Sequence, residues 1–240
     1  MAGMNLSTPK AKSRLKLVRM VVWIGLLVPA VQVGCAGVTN PPTTSPMLLR
    51  WICGKVARKA QNPNRYEWLE LRGVSGWFLS CVWVSEDNRF FEHWGFDWQQ
   101  ISTARAEARA SGRPARGAST ITQQCARALF LWQGRSWLRK GLETYYTIWM
   151  ELLLSKERIL ELYVNVIEMG DGVYGIEAAA EHHYGVHAGE LRHEQAAMLA
   201  AILPNPREWD PNHPSERLLR RQAIILQRSE HARLPLEIDR

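Results

Sequence analysis

From Met20 to Val38 the chain runs MVVWIGLLVPAVQVGCAGV, nineteen residues without a formal charge. As a helix that run is close to the length of about 20 residues that crosses a bilayer core. Pro29 and Gln32 weaken it without forbidding a spanning helix. Lys10, Lys12, Arg14, Lys16 and Arg19 all precede it, and residues 1–19 carry no acid. The positive-inside rule therefore puts the short tail in the cytoplasm and the bulk of the chain outside. Two rival readings stay open. A cleaved signal peptide would use AVQVGCAG, a poor small-residue site. A lipid-modified Cys35 would have Gln32 where such sites favour Leu. The expected division is a basic tail over 1–19, a membrane anchor over 20–38, a Pro/Thr-rich linker over 39–46 (TNPPTTSP) and one domain over 47–240.

With 240 residues, 46% of them hydrophobic and 22% charged, the chain can bury one sizeable core beside an anchor. The formal charge of +7 is uneven, because the tail holds +5 and leaves +2 for the rest. A basic surface across the whole domain is thus unsupported, and nucleic-acid binding with it. Eleven tryptophans fit amphipathic surfaces at a membrane interface or sugar platforms, although ordinary core packing would account for most of them. Cys35, Cys53, Cys81 and Cys125 form no CxxC or Cys/His ligand spacing, and read as buried or free thiols.

The domain reads as mainly α. LETYYTIWMELLLSKERILELYVNVI is a long apolar-rich run with charges recurring at three and four, and HEQAAMLAAIL and SERLLRRQAIILQRSEHARL predict two further helices. No strand alternation persists, and no dinucleotide, phosphate-loop or HExxH pattern occurs.

Two blocks carry chemistry. SEDNRFFEHWGFDW (Ser85 to Trp98) packs four carboxylates, one histidine and five aromatics into fourteen positions after the apolar run WFLSCVWV. A carboxylate at Glu86 would be partly desolvated, which raises its pKa toward that of a general base or acid. A surface acid pair capping a helix is the plainer alternative. The second block, Arg116 to Glu143, crowds Gly117, Ser119, Thr120, Thr122, Gln123 and Gln124 together and then spaces Arg127, Arg135, Arg139 and Lys140. Small donors followed by cations suit a polyanion such as a pyrophosphate, and a helix N-terminus with a solvated basic face is the competing reading. Glu143, three residues after Lys140, shares its helix face and adds a second carboxylate in a different electrostatic setting.

EDNRFFEHWGFD, GASTITQQ, RKGLE and KERILELYVNVIEMGDGVYGIEAAA, with LPNPREWDPNHP behind them, stand in the order of a known motif set. Over about residues 45–230 the chain resembles the monofunctional biosynthetic peptidoglycan glycosyltransferases, relatives of the glycosyltransferase domain of class A penicillin-binding proteins. It departs from their pattern at Ala118 (for Gly), Arg127 (for Lys), Ala128 (for Asn) and Val164 (for Leu). The resemblance implies a lysozyme-like helical domain behind one transmembrane helix, in the bacterial inner (cytoplasmic) membrane. It implies an inverting transfer from a lipid-pyrophosphate-linked donor chain to the 4-hydroxyl of lipid II, releasing polyprenyl diphosphate.

By the same resemblance Glu86 is the general base and Glu143 the second catalytic carboxylate, organising the cations or a metal ion or assisting departure. Substrate contacts fall on Asp87, Phe90, His93, Gly117, Ser119, Thr120, Gln123, Gln124, Arg127, Arg135, Arg139 and Lys140. Lys156, Glu161, Tyr163 and Asn165 read as ties between helices around the cleft. No residue is assigned as a metal ligand, and a divalent cation, Mg or Mn, is allowed at the pyrophosphate. The implied partners are lipid II, the nascent glycan strand and membrane lipid, with cell-division or elongation proteins as candidates. A glycan-cleaving muramidase or lytic transglycosylase on a similar fold would need Glu86 but not the cation cluster, and a membrane-anchored scaffold would need neither. The only SxxK, Ser13 to Lys16, precedes the apolar run and KTG is absent, so a penicillin-binding transpeptidase half is not expected.

Overall fold

The computed structural model describes residues 9–56, 64–112, 117–134 and 136–236. Helix α1 (Pro9–Val38) takes up the basic flank and the apolar run in one piece, and Lys16–Val38 is long and apolar enough to cross a membrane. After a short irregular stretch come α2 (Ser45–Val56), α3 (Gly76–Glu86), α4 (Trp98–Ser111), α5 (Ile121–Phe130), α6 (Trp137–Leu153) and α7 (Lys156–Val166). Helices α8 (Ile176–Tyr184), α9 (His193–Ile202) and α10 (Glu216–Ser229) complete the order. Strands β1 (Arg65–Tyr66), β2 (Glu168–Gly170) and β3 (Val173–Tyr174) form a small sheet in the order β1-β3-β2, parallel on one side and antiparallel on the other. Strands of two or three residues are too short for alternation to show in sequence.

The helix ends follow from local chemistry. The side chains of Asp97, Thr120, Ser136, Ser155 and Ser215 each accept a backbone N–H in the first turn of the helix they precede. Ser155 matters most, because it interrupts the long apolar-rich run. Leu154 is extended, and the Ser155 hydroxyl accepts the Arg158 N–H at 3.1 Å, starting α7 as a separate helix. Gly175 then allows the chain to re-enter a helix at close quarters. Its φ is +82°, and a Cβ there would lie 2.4 Å from the Asn165 carbonyl oxygen.

Two helix groups meet at the site. Helix α9 is buried from Ala196 through Ile202, its alanines letting α3 and α10 pack closely on it. On the other side α5 lies against α6 and α7. The run WFLSCVWV is a helix buried almost all round, with Phe78, Leu79, Cys81 and Val82 fully enclosed. Phe78→Ala would cost about 3–5 kcal/mol through lost transfer energy and the cavity left behind. Glu86 is the last residue of that helix, so its backbone is rigidly held from behind.

The expectation that core packing absorbs most tryptophans fails. Trp23, Trp51, Trp77, Trp94, Trp98, Trp132 and Trp137 are exposed, seven of eleven, and Trp137 reaches 94%. Exposed Leu48, Leu49 and Ile52 on α2, and Leu138, Ile148, Leu152 and Leu153 on α6, add to the apolar surface. Such faces fit a membrane interface rather than bulk water.

Candidate active site

Glu86 stands where α3, α5 and α10 converge. Its side chain is 11% exposed. Gln124 on α5 donates from Nε2 to Oε2 at 2.9 Å, and Arg221 on α10 donates to Oε1 at 3.0 Å. The Gln124 amide is itself oriented, because the buried Tyr163 hydroxyl donates to its Oε1 at 3.3 Å. Burial pushes the Glu86 carboxyl above its ordinary value; the Gln124 hydrogen bond and the charges of Arg221 and Arg127 oppose that shift. A carboxylate that holds a proton more tightly than usual can act as a proton acceptor.

Glu143 is the contrasting carboxylate. It is 1% exposed, and Arg139 donates to its Oε2 at 2.7 Å while Lys140 binds its Oε1. Lys140 also reaches the Ser119 hydroxyl at 3.3 Å, which joins the start of α6 to the loop before α5. With both oxygens bound to cations, Glu143 is placed to hold those cations in position. Arg139 keeps a buried Nε with no protein partner. It lines a cavity of about 400 Å³ together with Arg127, Gln133, Tyr174 and Arg207, between apolar walls that include Trp132, Val166 and Leu203. Glu86 does not line this cavity. Gln124 and Arg127, three residues apart on one face of α5, connect the acid to it over about 4.5 Å of helix.

Several residues expected to touch substrate have other employment. The Thr120 hydroxyl donates to the Gly95 carbonyl at 2.7 Å and accepts the Gln123 N–H, while Gln123 accepts the Thr120 N–H at 3.1 Å. This reciprocal capping box builds the N-terminus of α5. Asp87 accepts the Ile121 N–H at 3.0 Å and pairs with His93 at 2.9 Å, so it caps the same helix and fixes the histidine. Phe90 is fully buried and the Lys156 ammonium sits 4.5 Å over its ring. The groups that Thr120, Gln123 and Asp87 use in capping are thereby engaged and Phe90 is enclosed, whereas the buried His93 Nδ1 has no protein partner. Gly117 and Ser119 lie on the loop entering α5, Arg127 lines the cavity, and Arg135 falls outside the described residues.

Of the four residues expected to tie helices, Lys156 joins α7 to α6 and Tyr163 joins α7 to α5, whereas Asn165 ties α7 to a loop and Glu161 pairs within α7. Asn165 exchanges hydrogen bonds with the Leu69 backbone at 2.9 and 2.8 Å. Lys156 reaches Glu151 at 2.8 Å, and Glu161 pairs with Arg158 at 2.9 Å. Asp87, His93 and Asp97 bring ligand atoms within 4.8 Å of one another. Asp97, however, caps α4 through Gln100 and meets Arg89 at 3.3 Å, so the trio is a structural network.

Arg221 was missed by motif reading. A signal for it exists: it falls three residues after Leu218 and four before Ile225, both on the buried stripe of α10. An arginine on a core-facing stripe needs an acid or carbonyls, and here it has Glu86 and the Ala201 carbonyl at 3.1 Å.

A buried acid at a helix end and, one helix away, a cation-lined cavity thus stand together in a mainly helical domain, and the comparisons with known proteins give the class: a transglycosylase. The family model Transglycosylase matches residues 53–230. The chain is 43% identical over 212 residues to the biosynthetic peptidoglycan transglycosylase of Ectopseudomonas mendocina (strain ymp), covering 88% of this chain and 86% of that one. It is 48% identical over 175 residues to the protein of that name from Chromohalobacter salexigens, covering 73% and 72%. Its identity to the Escherichia coli (strain ATCC 8739) protein of that name is 41% over 213 residues, covering 89% and 86%. The chain belongs to the transglycosylase family.

Proposed function

We propose that this chain polymerises peptidoglycan glycan strands at a membrane surface. The observation that carries this is Glu86, a carboxylate whose proton affinity is raised by burial, joined along α5 to a cavity with Arg127 and Arg139 in its wall. The acceptor is lipid II and the donor a glycan chain on a lipid pyrophosphate. Glu86 accepts the proton of the acceptor's 4-hydroxyl. That oxygen bonds to the donor's anomeric carbon as the bond from this carbon to the phosphate oxygen breaks, with inversion. The pyrophosphate leaves as an anion, and in this reading Arg127 on the cavity wall receives its charge, with Lys140 and the Ser119 hydroxyl, which bond each other beside it, as further donors. Because Lys140 is held by Glu143 before substrate arrives, it needs little reorganisation at the moment of reaction.

A divalent ion at the pyrophosphate finds poor protein support here, since both Glu143 oxygens are already bound to cations. The protein's own cations carry the charge in this scheme. The positive flank of α1 favours a cytoplasmic N-terminus and a domain on the extracytoplasmic side of the bacterial inner membrane.

Incubation with lipid II, followed by separation of products by size, tests the reading. Long glycan is expected. Fragmentation of added glycan with no polymer would favour the cleaving class, and no product at all would leave only a scaffold.

A further inference from the structure

Pro29 and Gln32, the two residues that weaken the apolar run, are both docking contacts in the fold. Proline has no N–H, so the Gly25 carbonyl four residues earlier loses its helical partner. In an apolar surround an orphaned carbonyl is costly. The Tyr145 hydroxyl on α6 donates to that carbonyl at 3.2 Å. The neighbouring Tyr146 hydroxyl donates to the Gln32 side-chain oxygen. At the end of α1, Arg158 of α7 donates to the Ala36 carbonyl at 2.9 Å, the Thr39 carbonyl at 2.7 Å and the Asn40 side chain at 3.0 Å. A cation there satisfies late carbonyls and complements the helix dipole, where α1 has no basic residue of its own in its last turn. Pro29, Val33 and Ala36 lie buried on one face between these ties. Packing there is tight, since a Cβ at Gly37 would come within 2.7 Å of Leu154 Cδ2.

We infer that the second half of α1 is a docked part of the catalytic domain and not a tether, and that it acts as a positioning element. It is fixed along α6, whose first two turns carry Arg139, Lys140 and Glu143. Through α6 the anchor sets the height and tilt at which these cations meet a pyrophosphate carried by membrane lipid. The positioning role rests on the proposed polymerase reading; the docking itself does not.

The two ideas are tested separately on the full chain in membranes. For docking, Gly37→Cys with Leu154→Cys is introduced where Cys35 and Cys53 are replaced by Ser, and the rate of disulfide formation is followed by peptide mass spectrometry. The pair should link readily. Adding Pro29→Ala with Gln32→Leu makes a better spanning helix and leaves the domain's own residues untouched. A simple tether predicts unchanged linking. Docking predicts linking slower by about tenfold, the scale of losing two net hydrogen bonds. For positioning, Pro29→Ala with Gln32→Leu in the parent chain should raise the KM for lipid II in vesicles severalfold with kcat nearly kept. Failure of the cysteines to link, or equal linking rates with and without the anchor substitutions, overturns docking. Slowed linking with an unchanged KM overturns the positioning role. A chain that links as expected yet makes no glycan overturns the polymerase reading and leaves docking standing.

Discussion

Glu86 and Glu143 are both enclosed carboxylates, and the fold treats them in opposite ways. Glu86 ends a helix and meets one amide and one arginine, and burial raises its proton affinity. Glu143 sits mid-helix with a cation on each oxygen. A carboxylate whose charge is under-compensated is ready to take a proton, whereas one that is fully paired holds cations in place. Two carboxylates of the same chemistry are thus set apart by their partners alone, which is why the proposed roles differ.

The comparison breaks most directly at Glu86. Glu86→Gln keeps the shape and the contact with Arg221 but cannot accept a proton, so polymerisation should fall by about 10²–10⁴ with folding retained. Near-parental rates from the folded variant would remove Glu86 as the base. Next comes Arg127, where the chain departs from its relatives' pattern. Arg127→Ala should cost about 10²-fold in rate, the scale of one preorganised donor, while Arg127→Lys keeps substantial activity. A rate curve against lipid II concentration that matches the parent for both variants would place Arg127 outside the site.

A smaller effect, on stability this time, is expected at Glu143. Glu143→Gln leaves the buried Arg139 without its counter-charge, and Lys140, 40% exposed, is partly compensated by water. The expected loss is about 2–3 kcal/mol, below the full range for an uncompensated buried pair, read from denaturant unfolding. No loss would mean that Glu143 is not the organiser.

The smallest effect sharpens the comparison at Glu86 through pH. Activity in kcat/KM should rise with pH as the Glu86 carboxyl deprotonates. Burial sets its raised pKa, and Gln124 and Arg221 both pull it down. Arg221→Gln removes a charge that favours the ionised form, so the rising limb should move to higher pH. A limb that stays in place, or moves to lower pH, would show that Arg221 does not act on this acid.

Much of the candidate site could be read along the chain. Glu86 after WFLSCVWV, the donors from Gly117 to Gln124 and the spaced cations were visible as residue types in a pattern, as was the apolar run of α1. Motif reading could not separate direct contact from support. Thr120, Gln123 and Asp87 sit among candidate ligands in sequence, yet they cap α5, because a helix N-terminus needs acceptors for its free N–H groups. Nor could it place Arg221, which lies 135 positions beyond Glu86 and meets it only through the packing of α3, α9 and α10.

By itself the sequence determined the long apolar N-terminal helix, the helical class and the identities of the acid, amides and cations, because those depend on local composition and spacing. Tertiary structure decided which carboxylate is under-compensated, which polar groups are already satisfied and which groups of α6 and α7 meet the proline-interrupted α1. Those outcomes depend on burial and on partners distant in sequence, and a proton affinity or an orphaned carbonyl is settled only by what packs against it.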